Sequence, residues 1–324
     1  MKKIGDLLRY VPVVKAVPKR VGHRTIERII EASRAIEQDP DAVELAYMAR
    51  QLVICTLPHR NPGDVPVWSR RNGRATLGLV PGMNIDTGES YGYPYGILPR
   101  LVLFWISTEV VRQPKAERSR RLHLGHSLAA FMKALNLDPE HGGKKSDAYR
   151  LKEQMLRLFR CRISFQESAS GADGSEGLRW KDMPVAPEGE LWWNPRQPEQ
   201  GALWGSWIEL GEKFYDAILA APVPVDMRAL RALKSSPLAL DLYAFLTHRV
   251  FNLKTPQFVP WKGLQEQVGT DYASVDEFAR YAKSTLKKVQ GVYPNLKVQP
   301  IKGGFYVYPS PVAVPAKLVS LTLP

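Results

Sequence analysis

Two sets of basic and polar side chains recur at helical spacing in this 324-residue chain: Arg150, Gln154, Arg157 and Arg160 in one segment, Arg280, Lys283, Ser284 and Lys287 in another. At about 100° per residue each set gathers on one side of a helix. Opposite the first lie Leu151, Met155, Leu158 and Phe159, and opposite the second lie Phe278, Tyr281, Thr285 and Val289. One face of each helix thus seeks a core and the other seeks anions. An Arg fork clamps a phosphate or the O6 and N7 of guanine, Gln pairs with adenine, and Lys and Ser hold the backbone.

Catalytic constellations are absent from the sequence. In His123-Leu124-Gly125-His126 two residues separate the imidazoles, so they do not share a strand face as the metal motif of a rolling-circle nuclease requires. In Gly142-Gly143-Lys144-Lys145-Ser146 the first glycine of a phosphate loop is missing, because Asp138 stands at that spacing. No acidic trio is spaced for two-metal cleavage of a phosphodiester. We therefore expect a protein that is not an enzyme and takes no cofactor or metal.

The elements that must position the two basic faces follow one order, written twice, from Leu98 to Leu210 and from Pro237 to Pro309. Each pass reads apolar helix, short helix pair, basic amphipathic helix, β-hairpin. In the first, Leu98 to Val111 is a core helix, Ser127 to Leu135 a short one and Asp147 to Ile163 the basic one; Arg162–Gln166 and Gly177–Lys181 then form a hairpin. In the second, Leu238–Phe251 and Trp261–Val268 precede the basic helix, whose start is set by a capping box, Ser274 with Glu277. Its hairpin turns at Lys302-Gly303-Gly304, with Lys302 at the tip. This is the plan of a winged helix, in which one helix enters a DNA groove and the hairpin rests on the backbone. The expected fold class is α+β, two winged-helix domains in tandem.

Composition agrees with an acidic partner. Forty-five Lys and Arg against 32 Asp and Glu give a formal charge of +13, and nucleic acid is the commonest polyanion a basic protein meets. Residues 1–40 form a basic arm, with Lys2, Lys3, Arg9, Lys15, Lys19, Arg20 and Arg24 against Asp6, and a helix from Arg24 to Gln38. A second helix is expected from Val43 to Leu52, and a decorating hairpin turns at Asn72-Gly73. The tyrosines of Ser90–Gly96 and Trp192, Trp193, Trp204 and Trp207 read as packing residues, not as stacking platforms. Two cysteines make neither a disulfide framework nor a zinc site, which fits a reducing cytoplasm. The longest apolar run, Leu101 to Ile106, is far short of the roughly 20 residues that span a bilayer.

The second half also resembles a known family, the RepA-type plasmid replication initiators. The resemblance rests on Trp207–Tyr215, Ala220–Asp226, Ser236–Tyr243, Tyr293-Pro294 and Pro309-Ser310-Pro311. The first half shares mainly the order of elements and Leu98 to Val111. What the resemblance implies is a bacterial, plasmid-associated protein that exists as monomer and homodimer. It would bind direct repeats in the plasmid origin, promote opening of adjacent A+T-rich DNA, and recruit the host replication initiator and helicase. It further implies a division of labour: residues 41–210 for dimerisation and backbone contact, residues 211–324 for reading origin DNA with Arg280, Lys283, Ser284 and Lys287. The rival reading is a transcriptional regulator that binds an operator as a dimer. An RNA-binding protein is disfavoured, since the sequence shows no aromatic strand signature of a sheet-type reader.

Overall fold

The computed structural model describes residues 23–139, 146–170, 175–192, 205–268 and 272–315. Lys2 to Arg20, the glycine-lysine segment after Glu140, the segments 171–174 and 269–271, and Trp193 and Trp204 lie outside the described residues. The fold is α+β. The chain divides into two compact units, one inserted in the other: residues 47–222 form the inserted unit, and residues up to 46 join those from 223 onward to form the outer unit. This corrects the expected boundaries at 40/41 and 210/211. The N-terminal helix belongs to the C-terminal unit, for a reason given below.

Helix α1 (His23–Gln38) starts the described chain. Where a helix was expected over 43–52, strand β1 (Leu45–Ala49) runs into a short helix α2 (Arg50–Ile54). Ala46, Tyr47, Met48 and Ala49 are all buried, and a segment hidden on every side carries no helical polar face to betray its type. Strands β2 (Trp68–Asn72) and β3 (Ala75–Val80) pair as an antiparallel hairpin through Gly73, whose φ of 60° suits the turn.

The first repeat follows. Helix α3 (Leu98–Arg112) has Pro99 in its first turn and nearly every side chain buried. Next come β4 (Arg121–His123) and α4 (Leu128–Ala134), whose cap Ser127 accepts a bond from Ala130 N–H, and then α5 (Asp147–Arg160), capped likewise by Ser146. The hairpin is β5 (Arg162–Ser170) with β6 (Glu176–Asp182), longer at both strands than the sequence suggests. β3 pairs with the other edge of β5, which makes the four-stranded sheet β2-β3-β5-β6. Strands β7 (Glu188–Glu190) and β8 (Trp207–Glu209) join β4 in a separate sheet, with β8 central. Helix α6 (Glu212–Ala220) closes the unit against α3.

Strand β9 (Pro222–Asp226) returns the chain to the outer unit, where α7 (Met227–Leu233) precedes the second repeat. That repeat is α8 (Pro237–Phe251), β10 (Gln257–Pro260), α9 (Trp261–Val268), α10 (Val275–Val292), β11 (Val298–Ile301) and β12 (Gly304–Val307). Here β10, read as mere connection in the sequence, pairs antiparallel with β12 and completes a three-stranded sheet, β10-β12-β11. Proline at both ends of the segment hid it, yet Pro260 ends an edge strand, where a missing N–H costs little.

Helix α1 joins this unit because its apolar stripe, Ile29, Ile30 and Ala32, is buried against α7 and α10. Gly291 of α10 is the point of closest approach: a Cβ there would fall 2.6 Å from Ile29 Cγ2. Arg228 fastens the far end. Its guanidinium donates to both carboxylate oxygens of buried Asp226 and, from Nη1, to the carbonyls of Ala35 and Asp39 at 3.0 and 2.9 Å, the open C-terminus of α1. A helix read as part of a solvated arm is thus a structural wall behind α10.

Candidate nucleic-acid interface

Helix α10 is positioned by its buried side. Phe278, Ala279, Ala282, Thr285, Leu286, Val289 and Val292 are buried, so the core sector is centred near Ala282. The start is held as the capping box requires on one side, with Glu277 N–H donating to Ser274 Oγ at 3.1 Å. The Glu277 carboxylate in turn accepts from the Ala273 N–H at 3.2 Å, one residue earlier than expected. Away from the core stand Arg280, Lys283 and Lys287, all exposed, with Ser284 half-buried between them. The Arg280 side chain is 71% exposed, its nearest carboxylate, Glu277, 4.0 Å away. Its guanidinium lies 5.2 Å from the Tyr281 ring centre, and Lys283 Nζ stands 5.8 Å over the Trp261 indole. Both cations rest on aromatic faces, which neither neutralise them nor cover them. Lys302 is exposed at the hairpin tip, where Gly303 takes a φ of 82°. Lys288, half-buried on the helix flank, differs: desolvation pulls its pKa down, so it suits phosphate less well.

Tyr281 departs from the expectation that it faces the core. It is 45% exposed, stacked on Tyr272 at 4.9 Å between centroids and an interplanar angle of 24°. At about 100° per residue Tyr281 lies roughly a quarter-turn from the centre of the apolar sector, so it falls on the rim. The sequence signal that would have found it is the second tyrosine just before the helix, able to receive the ring outside the core.

The first basic face is mostly taken apart by tertiary contacts. Gln154 is only 5% exposed, and its Oε1 accepts the Tyr95 N–H at 2.9 Å. Arg157 keeps 13% of its side chain exposed, ion-paired to Glu153 and donating to the Tyr93 carbonyl at 3.3 Å. The cause is the loop Ser90–Gly96, which lies across this side of α5; a Cβ at Gly92 would fall 3.3 Å from the Arg157 guanidinium. Gln154 and Arg157 are therefore corrected from DNA-facing to structural. Arg150 and Arg160 remain exposed, the former 3.4 Å from Asp147. We expect Gln154→Ala to lower the stability of the protein by about 1–2 kcal/mol, through the orphaned Tyr95 N–H, with DNA affinity unchanged. Chemical denaturation paired with a DNA titration checks this.

The aromatic residues divide as well. Tyr93 is buried and its hydroxyl donates to the Val65 carbonyl at 2.8 Å, as a packing residue does. Trp207 lies in β8 under the Arg121 guanidinium, 3.9 Å above it, but Trp192 is 57% exposed and outside the strands. Cys55 and Cys161 are buried free thiols whose pKa values burial pushes up to about 11 and about 12, the opposite of the shift that activates a thiolate. Among the described residues no group of His, Cys, Asp and Glu could hold a metal ion, and no helix is long and apolar enough to cross a membrane.

Comparison with known proteins bears on what this geometry serves. The model of a family described as plasmid-encoded RepA protein matches residues 93–261, more than half of the chain. The chain belongs to the plasmid-encoded RepA family. The role of this family is in plasmid replication initiation, in line with the resemblance read from the sequence. The match covers the whole first repeat from α3 to the hairpin, where the sequence shares mainly the order of elements, and it stops at the first residue of α9. The basic helix α10 of this RepA-family chain therefore lies beyond the matched residues. No curated protein matches the chain. Among solved structures, the crystal structure of selenomethionine derivatives of domains 2 and 3 of RctB is similar at a TM-score of 0.44 and 11% identity, covering 80% of this chain and 95% of that one.

Proposed function

We propose that this RepA-family protein initiates plasmid replication by gripping direct repeats in the origin, with α10 in the major groove and Lys302, at the tip of the β11–β12 hairpin, on the backbone. The observation that carries the reading is the exposed cationic side of α10, Arg280, Lys283 and Lys287, in the same unit as Lys302 at the hairpin tip. Arg280, 71% exposed and held only loosely, by a 4.0 Å ion pair to Glu277, is the group to read guanine; Lys283, Lys287, Ser284 and Lys302 position the helix on phosphates. Arg150 and Arg160 add backbone contacts from the inserted unit. Binding energy, not catalysis by this chain, favours opening of the neighbouring A+T-rich DNA, whose flexible steps deform cheaply. A homodimer in one state and recruitment of the host initiator and helicase complete the role.

Two measurements test this. If about 6–10 phosphates are neutralised, affinity for a repeat duplex falls about 10³- to 10⁵-fold between roughly 50 and 200 mM salt. A vector carrying only the DNA that flanks the gene, supplied with the protein in trans, should replicate. Binding to inverted repeats with no replication would instead identify an operator-binding regulator.

A further inference from the structure

We propose that the outward face of the β10-β12-β11 sheet is a stacking platform for single-stranded DNA. Strand alternation gives the sheet two chemically different faces. Val259, Phe305 and Val307 point inward and are buried, and Phe305 stacks on Trp261 of α9 at 5.1 Å. The other face carries Phe258, Tyr306 and Tyr308. Phe258 and Tyr306 are cross-strand partners with ring centroids 5.4 Å apart, and Tyr306 and Tyr308 follow at 6.1 Å. The three rings form a continuous row across two strands. Phe258 is 44% exposed and both tyrosines are partly so.

The row is held in place. Gly304 has no side chain where the Phe258 ring lies across it; a Cβ there would meet the ring at 2.6 Å. The Tyr308 hydroxyl donates to Gln299 Oε1 at 2.6 Å, so what exposed Gln299 has to offer a base is its NH2. Rings fixed before binding lose little entropy on stacking.

Charge selects the occupant. From Asn252 to Gln265 and from Gly291 to Pro315 there is no acidic residue, whereas Lys254, Lys262, Lys297 and Lys302 are all exposed. Tyr308 N–H donates to the Lys297 carbonyl at 2.9 Å, which continues the strand register and sets Lys297 on the aromatic face. Aromatic rings interleaved with cations and free of carboxylates suit a polyanion whose bases are exposed. Bases stacked in a duplex rise ~3.4 Å and present only edges, so rings spaced nearly twice as far engage bases drawn out of the stack.

The inference deepens the proposed opening of A+T-rich DNA and rests on that reading: the unit that grips the duplex would also hold a strand released beside it. The test is fluorescence anisotropy of the full chain on an oligothymidylate of about 20 nucleotides, and separately on a repeat duplex. Phe258→Leu and Tyr306→Leu keep apolar bulk and remove the rings. Each is expected to weaken oligothymidylate binding about 10-fold, and the pair about 100-fold, while duplex affinity stays within about 2-fold; Tyr306→Trp restores the loss. Unchanged oligothymidylate affinity in the double variant overturns the proposal, as does tighter binding of the matching RNA. So does a dimer that falls apart in sedimentation while oligothymidylate binding persists, which would make the face a contact between copies. Loss of repeat binding by the unaltered protein with oligothymidylate binding intact would instead count against the origin-repeat reading.

Discussion

Replacing Arg280, Lys283 and Lys287 together by alanine is expected to weaken binding to origin repeats about 10²- to 10³-fold at physiological salt. The steeper half of that loss is electrostatic. Each phosphate contact removed lowers the slope of log affinity against log salt by about 0.9, so loss of the Lys283 and Lys287 contacts should take nearly 2 from that slope. The remainder belongs to Arg280, for a bidentate guanine contact is worth about 1–3 kcal/mol against other bases. Arg280→Ala alone should therefore flatten the preference for repeat over unrelated duplex, whereas Lys287→Ala should weaken both alike. Thermal unfolding checks that the fold survives, as it should: these side chains are exposed, and α10 is held by Phe278, Leu286 and Val289 on its other side. Unaltered affinity in the triple variant would remove α10 as the reader.

The largest effect on stability is expected at Arg100, a cation buried within α3 at 3% exposure. Its guanidinium donates to the carbonyls of Pro58, Gly96 and Leu57 at 3.1, 2.7 and 2.7 Å. Arg70, 5% exposed, closes on the same segment through the carbonyls of Thr56 and Leu57 and the Thr56 hydroxyl. Two forks thus satisfy the backbone of a proline-bearing stretch that has no strand partner of its own. Arg100→Met removes a donor from all three carbonyls and takes a buried guanidinium from its partners, although Leu57 keeps Arg70 and Pro58 keeps the Gly96 N–H, at a cost of about 3–5 kcal/mol. For a unit of this size that lowers the melting temperature by about 10 °C. Arg100→Lys should recover part of the loss, because an ammonium donates from one point and cannot span the three carbonyls. A melting temperature within about 2 °C of the unaltered protein would show that water replaces the fork.

The two basic helices show where a sequence can be read and where it cannot. Both were visible as amphipathic segments, and both form at nearly the expected bounds, Asp147–Arg160 and Val275–Val292. Their fates differ through a loop 50 residues upstream of α5: Ser90–Gly96 folds over Gln154 and Arg157 and converts a polar face into an internal one. A helical wheel sees only neighbours on its own helix. The same blindness put Tyr281 in the core and hid the partners of Phe258.

By itself the sequence determined the charge, the two repeated series of helix, short helix, basic helix and hairpin, the caps at Ser127 and Ser274, and the family. All of these are local: a cap needs three residues, a wheel needs four turns, and composition needs no geometry. Only the tertiary structure decided that α1 walls the C-terminal unit through Ile29 and Arg228, that Gln257–Pro260 is a third strand, and which arginines meet solvent and which meet carbonyls. Those are contacts between residues up to 193 positions apart, as Arg228 and Ala35 are. Their partners are selected by packing the finished elements together, a step no spacing within one segment records.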